Sequence, residues 1–505
     1  MMNIESRDPN STSSFHTAWW TPRLAWPLIA AAVLRMGLLA TVLVRTGTSI
    51  LISTDTGSYL GPGRNLLLHG RFFANGVPDL FRTPGYSLFL AITSLAGLPV
   101  AVMANTIVSI FSVLLVWKLA RTTFGDDRIA LGAAWIFAFE PVSVSHSFVL
   151  ISETLFLALF LLSMERLAVF LRGRRLPVLV AAGLWLAATT FVRPVSYYLP
   201  FALSLGLFLV FARVPGFPPQ RHEPVAGGPG LRWKAPAVLL ISVLPWLAAW
   251  QIRNWVETGF RGFASVQEVS LYFCDAADVK ARMEHRDYYD VLKESGYPDF
   301  RELFILSNGQ LYLSQAYLAQ HPEQIGWSQG QRIAFIHTEA LHVIRAHYGI
   351  FLQSCLESLF RTVFELGIGA LHHLLIPEAD RGEAISIASV STHGGILRAI
   401  GDPWILAERA VFSAALLGLY VFAARGAFRG GMHNACVWLL LGTSLYFITV
   451  SATAVSGRGG GGARYRLPVM PAICILAAAG FLRTKTMTIA RCTGCGSAPP
   501  PSGRT

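Results

Sequence analysis

The chain alternates between long apolar runs and short polar connections. Most runs hold about 17 to 25 residues, the length of an α-helix that crosses the hydrocarbon core of a bilayer. Because open strand edges are not tolerated in lipid, the pattern predicts an all-α polytopic membrane protein with about ten transmembrane helices. The predicted spans are 24–44, 100–119, a third ending near 139, a fourth opening at 152–154, 178–192, a sixth ending at Arg213, 237–252, 404–423, 437–450 and a last one that opens at 464–468.

The connections divide the chain into unequal segments. The expected segments are a cytoplasmic tail at 1–22, an N-terminal transmembrane catalytic module at 23–252, an extracytoplasmic or interfacial segment at 253–401, C-terminal transmembrane helices at 402–483, and a disordered cytoplasmic tail at 484–505.

Two of the connections are long. The first outer loop, 46–99, contains an apolar stretch at 86–97 that is too short to cross and is expected to lie in the interface. Residues 253–347 hold the largest concentration of acidic residues, which is typical of a mainly helical extracytoplasmic insertion. The stretch 348–376 is apolar but interrupted by charges, so it either spans the membrane or lies in the interface.

The composition agrees with a membrane protein. Of the 505 residues, 53% are hydrophobic and 14% are charged, and the mean hydropathy is +0.49, whereas a soluble domain carries about 25% charged residues. The net charge of +12 comes from basic short loops that the alternation places on one side, so both termini are expected in the cytoplasm of a bacterial inner membrane. No soluble basic domain is visible, and nucleic acid is not an expected partner.

The six cysteines indicate no disulfide framework. Only Cys274 and Cys355 fall in segments expected outside the cytoplasm. Cys492 and Cys495 form half of a zinc site at most, and a solvated tail is the better interpretation because no second pair follows.

A set of charged residues gathers at the predicted outer ends of the spans. Each arginine taken singly is explained by an interfacial anchor that reaches towards water, but acids and arginines on one side favour a functional site. Guanidinium groups bind phosphate through a planar fork of donors, and a nearby carboxylate is able to take a proton from an attacking hydroxyl. The set is Asp55, Arg82, Glu153, Arg193, Arg253, Arg464 and Arg466.

Six short motifs follow one another along the chain: Asp55-Thr-Gly-Ser-Tyr59, Arg82-Thr-Pro-Gly-Tyr86, Ser152-Glu-Thr-Leu-Phe156, Arg193-Pro194, Arg253-Asn254 and Arg464-Tyr-Arg-Leu-Pro468. In this order they resemble the membrane-embedded glycosyltransferases of the GT-C class, in particular the protein O-mannosyltransferase and aminoarabinose-transferase-like group. The resemblance covers about residues 24–483 and implies a polyprenyl-phosphate-sugar donor, a periplasmic active site and interfacial helices in the first outer loop.

The resemblance also implies roles for individual residues. Asp55 is expected to be a catalytic base and Glu153 a second catalytic acid that orients sugar or acceptor. The alternatives are purely structural: Asp55 caps an interfacial helix, Glu153 caps the start of a span, and His146 is a polar residue at the outer end of a span. The expected donor-phosphate ligands are Arg82, Arg253, Arg464 and Tyr465. The expected substrate-lining residues are Tyr59, Tyr86, His146 and Arg193.

The sequence therefore predicts a glycosyltransferase of the cell envelope that inverts the configuration of the sugar. Its expected partners are a polyprenyl-phosphate-linked sugar and a lipid, glycan or protein acceptor. The class admits a divalent metal, but the single acidic positions here do not indicate one. The alternatives are a transporter or flippase of lipid-linked sugars, against which the absence of a convincing internal repeat counts, and a glycan ligase or polymerase that uses diphosphate-linked donors.

Overall fold

A computed structural model describes residues 21–212, 230–298, 310–375, 403–429, 434–454 and 462–482. These residues are almost entirely helical, with one two-stranded antiparallel hairpin, β1 (Phe73–Ala74) and β2 (Val77–Pro78). The predicted all-α fold class is confirmed. Most of the predicted N-terminal tail, the whole C-terminal tail and the Cys492–Cys495 pair lie outside the described residues.

The helices before the predicted insertion include most of the long apolar ones. In chain order they are α1 (Ala25–Thr46), α2 (Thr54–His69), α3 (Pro84–Thr93), α4 (Leu98–Phe124), α5 (Asp127–Ala138), α6 (Pro141–Ser145), α7 (Glu153–Gly173), α8 (Leu176–Val192), α9 (Leu199–Ala212) and α10 (Leu231–Thr258).

The predicted insertion is helical in its described part and has its own apolar core, which includes Phe273, Tyr312 and Ile336. Leu80 of the first outer loop belongs to the same core, so the loop and the insertion pack together. The helices from here to the C-terminal end are α11 (Val266–Ser270), a π-helical turn (Leu271–Ala276), α12 (Ala277–Met283), α13 (Tyr288–Glu294), α14 (Gln315–Gln320), α15 (Gln329–Ala346), α16 (Tyr348–Phe364), α17 (Ile368–Leu375), α18 (Pro403–Arg429), α19 (Ala435–Ala454), α20 (Ala463–Arg466) and α21 (Met470–Phe481).

Seven helices in the described part of the chain are long and apolar enough to cross a membrane. They coincide with seven of the ten predicted spans. The other three predicted spans are helices too, but α5, α8 and α21 have only 12, 17 and 12 residues. A helix rises about 1.5 Å per residue, so 12 residues cover about 18 Å of a core about 30 Å thick.

Arg35 lies within the first span and is fully buried. A charge at this depth needs partners, and three neighbouring elements supply them. Its Nε donates to Ser109 Oγ at 2.8 Å, its Nη1 to the Ala138 carbonyl at 3.0 Å and its Nη2 to Ser143 Oγ at 3.1 Å. Arg35 thereby joins α1 to α4, α5 and α6.

The stretch that the sequence left open, 348–376, forms α16 and α17 as far as it is described. The inward face of α16 is small and polar, with Ser354, Ser358 and Thr362 fully buried. This reversed amphipathic pattern is typical of a helix whose outer face contacts lipid and whose inner face packs on other helices. Its outward face carries the exposed side chains of Tyr348, Leu352, Leu356, Phe360 and Phe364.

Candidate active site

The N-terminus of α2 presents Asp55. The Ser53 amide donates to Thr56 Oγ1 at 3.0 Å, and the Thr56 hydroxyl donates to the Leu150 carbonyl at 2.9 Å. These bonds start the helix and tie it to the loop before α7. The cap of α2 is therefore supplied by Ser53 and Thr56, and the Asp55 carboxylate is free to bind other groups.

Arg82 contacts Asp55 directly. Its Nη2 lies 2.7 Å from Asp55 Oδ1, its Nε donates to Ser58 Oγ at 2.8 Å, and its Nη1 donates to Tyr59 Oη at 3.0 Å. The guanidinium carbon also lies 4.2 Å from the centre of the Tyr59 ring. Two candidate residues of the first outer loop, 27 positions apart in the sequence, are thus in direct contact.

Arg464 joins the two predicted catalytic acids. Its Nη2 lies 3.2 Å from Asp55 Oδ2, and its Nε binds Glu153 Oε1. Arg193 Nη1 reaches the same Glu153 oxygen at 2.5 Å. We call the five residues Asp55, Arg82, Glu153, Arg193 and Arg464 the ion cluster.

The two acids of the ion cluster are paired differently. Both oxygens of Asp55 accept from arginines. Burial alone would raise the pKa of Asp55, but the charges of Arg82 and Arg464 outweigh it and hold that pKa below its usual value. Glu153 is almost fully buried at the N-terminus of α7, and within the described structure its Oε2 has no hydrogen-bond partner.

Two predicted substrate-lining tyrosines flank the ion cluster. The Tyr59 hydroxyl lies 3.0 Å from Ser152 Oγ, and its ring packs edge-on against Tyr86 at 4.9 Å. Tyr86 is fully buried, and its hydroxyl has no partner among the described residues. Gly85 lets α3 approach α8, since a Cβ there would lie 2.6 Å from the Phe191 carbonyl oxygen.

His146 lies in the loop that leads to Glu153. Its Nδ1 is 2.9 Å from the Val142 carbonyl and 3.0 Å from Ser145 Oγ. A carbonyl only accepts, so Nδ1 carries the proton. Burial lowers the pKa of His146 to about 4, so the ring is neutral at physiological pH. The ring nitrogen Nδ1 of His146 thus binds residues of its own loop, which supports a part in shaping the loop that leads to Glu153.

Tyr465 and Arg253 occupy different surroundings. Tyr465 lines a narrow cleft together with Glu153, Arg193 and Arg464. Arg253 is bound elsewhere: its guanidinium donates to the carbonyls of Phe72 and Asp79 and pairs with Glu257 at 2.7 Å. The structure therefore brings together the predicted donor-site residues except Arg253, whose donors hold the first outer loop.

Three residues of the site were not predicted. Ser58 and Ser152 bind Arg82 and Tyr59, and both stand inside the motifs that drew attention to their neighbours. Asp79 accepts from the Arg82 amide, and it lies in a stretch with no recognisable motif. In the described part of the chain, no group of three or more His, Cys, Asp or Glu side chains is arranged to hold a metal ion.

A cavity of about 400 Å³ is lined in part by the helix that carries Glu153 and by the helix that ends just before Arg193. Its walls come from α3, α7, α8 and α10, and its rim includes the exposed side chains of Leu184 and Trp246. Leu155 and Val192, which lie in its lining, are close in sequence to Glu153 and Arg193. Its lining is apolar: Gly85, Leu155, Leu159, Leu184, Ala187, Ala188, Phe191, Val192 and Trp246.

Comparison with solved structures finds similar chains at low identity. The archaeal oligosaccharyltransferase AglB from Archaeoglobus fulgidus, in complex with an inhibitory peptide and a dolichol-phosphate, is 14% identical with a TM-score of 0.46, over 92% of this chain and 50% of that one. ArnT from Cupriavidus metallidurans, bound to undecaprenyl phosphate, is 14% identical with a TM-score of 0.36, over 90% and 77% of the two chains.

The chain thus spans about half the length of AglB. No protein-family model and no curated protein sequence matches the chain.

Proposed function

We propose that the protein is a membrane glycosyltransferase that moves one sugar from a polyprenyl phosphate to an acceptor hydroxyl, with inversion at the anomeric carbon. The proposal includes an integral protein of the bacterial inner membrane, with both termini in the cytoplasm and the ion cluster on the periplasmic side. The acceptor is a lipid, a glycan or a protein.

The observation that carries the proposal is the ion cluster itself. Its members come from five segments that are far apart in the sequence, and they meet in direct contact. Buried ion pairs contribute little net stability because desolvation offsets the attraction between the charges. Five ionisable groups gathered beside apolar helices are therefore better explained by chemistry than by folding.

The charges of the ion cluster suit a phosphate monoester. Three guanidinium groups face two carboxylates, so the cluster keeps an excess of positive charge. Guanidinium groups bind phosphate oxygens through paired donors. An entering phosphate would compete with Asp55 for Arg82 and Arg464, and the arginines would then stabilise the charge that develops on the leaving oxygen.

The reaction is a displacement at the anomeric carbon. The acceptor oxygen forms a bond to that carbon, and its proton passes to the Asp55 carboxylate. The bond from the anomeric carbon to the phosphate oxygen breaks, and polyprenyl monophosphate leaves with its electron pair. Glu153 holds Arg193 and Arg464 through one oxygen and keeps the other for a hydroxyl of the sugar or acceptor.

We assign the apolar cavity as the binding site for the lipid chain of the donor. Its lining includes the exposed apolar side chains of Leu184 and Trp246 and two residues close in sequence to Glu153 and Arg193, so an isoprenoid chain would enter from the bilayer while its phosphate reaches the arginines. The same lining would not accommodate a free nucleotide sugar, whose polar groups would find no partners there.

The proposal is tested with purified protein in lipid and a panel of radiolabelled polyprenyl-phosphate sugars. We expect label from one monophosphate donor to appear in a new glycosidic bond, with release of polyprenyl monophosphate. The Arg464→Gln variant is the inactive comparison. Movement of labelled lipid between leaflets without a new bond would replace the proposal with a flippase, and use of only diphosphate-linked donors would replace it with a ligase or polymerase.

A bulky side chain in the cavity should weaken use of the lipid-linked donor. We expect Ala188→Phe to raise the KM for the donor about tenfold, with a smaller effect on kcat, because it removes binding shared by ground state and transition state. Ala181→Phe is the matched control, since Ala181 lies on the same helix outside the cavity lining. Equal donor KM values for the two variants would contradict the assignment of the cavity.

A further inference from the structure

The β-hairpin before Arg82 is held by the last turns of α10 and by the segment that follows this helix. Within the described part of the chain, three side chains and one backbone amide from these later residues donate to five backbone carbonyls in or directly beside the hairpin. The bonds are Arg253 Nη2 to Phe72 at 2.7 Å, Gln310 Nε2 to Ala74 at 3.2 Å, Gln329 Nε2 to Pro78 at 3.2 Å, Arg253 Nη1 to Asp79 at 3.2 Å and the Ser265 amide to Leu80 at 2.7 Å.

Asp79 sets the direction of the chain as it leaves the hairpin. Its side chain is almost fully buried, and its Oδ1 accepts from the amides of Phe81 at 2.8 Å and Arg82 at 3.1 Å. This is the local turn that aspartate forms with amides two and three residues ahead. Burial raises the pKa of Asp79 to about 6, against the opposing effect of these amides and of the charges of Arg82 and Arg253.

Arg253 closes the same turn from the other side. One guanidinium group binds the carbonyls of Phe72 and Asp79, the two residues between which the hairpin runs, and the Asp79 amide also donates to the Phe72 carbonyl at 3.1 Å. Asn254 fixes the next loop, since its Nδ2 donates to the carbonyls of Gly262 and Phe263, both at 3.0 Å. The Arg253-Asn254 motif thus binds backbone carbonyls of two loops: Arg253 binds those beside the hairpin, and Asn254 binds those of the loop that follows α10.

Both the backbone amide and the guanidinium group of Arg82 are therefore held by hydrogen bonds. Asp79 holds its amide, and Asp55, Ser58 and Tyr59 hold its guanidinium group. When a phosphate draws the guanidinium group away from Asp55, the backbone turn is the restraint that remains. A group that binds a reacting phosphate has to be held to within about 0.5 Å of its productive position.

We propose that Asp79 and Arg253 are positioning residues for Arg82, and that Arg253, together with Ser265, Gln310 and Gln329, supports the backbone that carries the donor-phosphate site. This inference rests on the proposed function, since it takes Arg82 to be a ligand of the donor phosphate. It gives Arg253 a role through the backbone in place of the direct phosphate contact that the sequence predicted.

The kinetic test uses the full-length protein and the donor that the panel identifies. We expect Asp79→Ala and Arg253→Gln each to raise the KM for the donor about tenfold while kcat changes less. Asp79→Asn keeps an oxygen that accepts from both amides and should recover most of the loss. In an Arg82→Lys background, Asp79→Ala should add little, because both changes act on one contact.

Two control variants separate positioning from general destabilisation. The Asp287 carboxylate accepts from the Tyr289 amide at 2.8 Å and caps α13, so Asp287→Ala removes the same kind of bond away from Arg82. Arg261 is an exposed arginine near the end of α10 that stacks on Trp255. We expect Asp287→Ala and Arg261→Gln to leave the KM for the donor within about twofold of the original protein.

Hydrogen exchange is a second measurement, and it tests the inference even if no sugar transfer is found. Hydrogen exchange of the peptide that contains the amides of residues 81 and 82 should become faster in Asp79→Ala, and remain slow in Asp79→Asn and Asp287→Ala. Unchanged exchange in Asp79→Ala would overturn the inference. Faster exchange with an unchanged donor KM would also overturn it, because the turn would then exist without serving Arg82. Faster exchange in a protein that transfers no sugar would refute the proposed function and leave the structural role of Asp79 standing.

Discussion

Arg464→Gln should lower sugar transfer by a factor of about 10² to 10³, the usual cost of removing one group that stabilises developing charge in an active site. Among the residues that the structure describes, Arg464 is the one that pairs with both catalytic candidates, with Nη2 on Asp55 and Nε on Glu153. Glutamine has no charge and cannot supply the same fork of donors. The loss should appear in kcat as well as in the KM for the donor.

The rate of sugar transfer by Arg464→Lys should fall between that of the original protein and that of Arg464→Gln. Lysine retains the positive charge but is a point donor at the end of a flexible chain, so it cannot hold both acids in the geometry of the guanidinium group. Arg64→Gln is the control, because Arg64 is exposed on α2, the helix that carries Asp55. The measurement is steady-state transfer at matched amounts of membrane-inserted protein. Original rates in Arg464→Gln would remove Arg464 from the mechanism.

Much of the fold was predictable because the bilayer sets the length of its helices. The length and composition of the long apolar runs near residues 24–44 and 100–119 are enough to predict a spanning helix, and the structure has one at each of these runs. The helix α5 ends at Ala138, close to the predicted end near Phe139, but its 12 residues are fewer than a straight span of the bilayer core needs.

The partners of the buried charges could not be predicted. The position of Arg35 in an apolar run shows that the side chain needs a partner. It does not show that Ser109 and Ser143 supply it, because these residues are 74 and 108 positions away. Hydrogen bonds between distant segments depend on how helices pack, and helix periodicity carries no information about that packing.

The candidate site was likewise predictable in its residues but not in all of their contacts. The sequence identified Asp55, Arg82, Glu153 and Arg464 by residue type and by position at the outer ends of spans, and the structure brings them into contact. Arg253 has the same residue type and the same position at the end of a span. Its guanidinium group nevertheless binds backbone carbonyls of the hairpin, and only the tertiary structure distinguishes these two uses of an arginine.

The arrangement of the ion cluster also implies an order of events. In the described structure both oxygens of Asp55 accept from arginines, whose charges make the carboxylate a weaker base for a hydroxyl proton. A donor phosphate that binds Arg82 and Arg464 would release the carboxylate. Its pKa, now held low by the two guanidinium groups, would then rise towards the range that suits a base. Donor binding should therefore precede productive binding of the acceptor.

Asp55→Asn should abolish most of the transfer while leaving the protein folded and inserted. Asparagine cannot take the proton of the acceptor hydroxyl, and loss of a general base costs about 10² to 10⁴ in rate. The α2 cap is formed by Ser53 and Thr56, so the helix should persist. Removal of the negative charge leaves Arg82 and Arg464 without their competitor, and the affinity for polyprenyl phosphate should stay the same or increase.

The decisive measurement for Asp55→Asn is a pair of readouts, single-turnover transfer and equilibrium binding of labelled polyprenyl phosphate. A slow step with retained or tighter binding identifies Asp55 as the base, because a residue that only supported the arginines would weaken both. Loss of binding together with loss of rate would instead make Asp55 a positioning residue for Arg82 and Arg464. Full activity would exclude Asp55 from the mechanism and leave Glu153, whose Oε2 has no hydrogen-bond partner among the described residues, as the carboxylate that receives the proton.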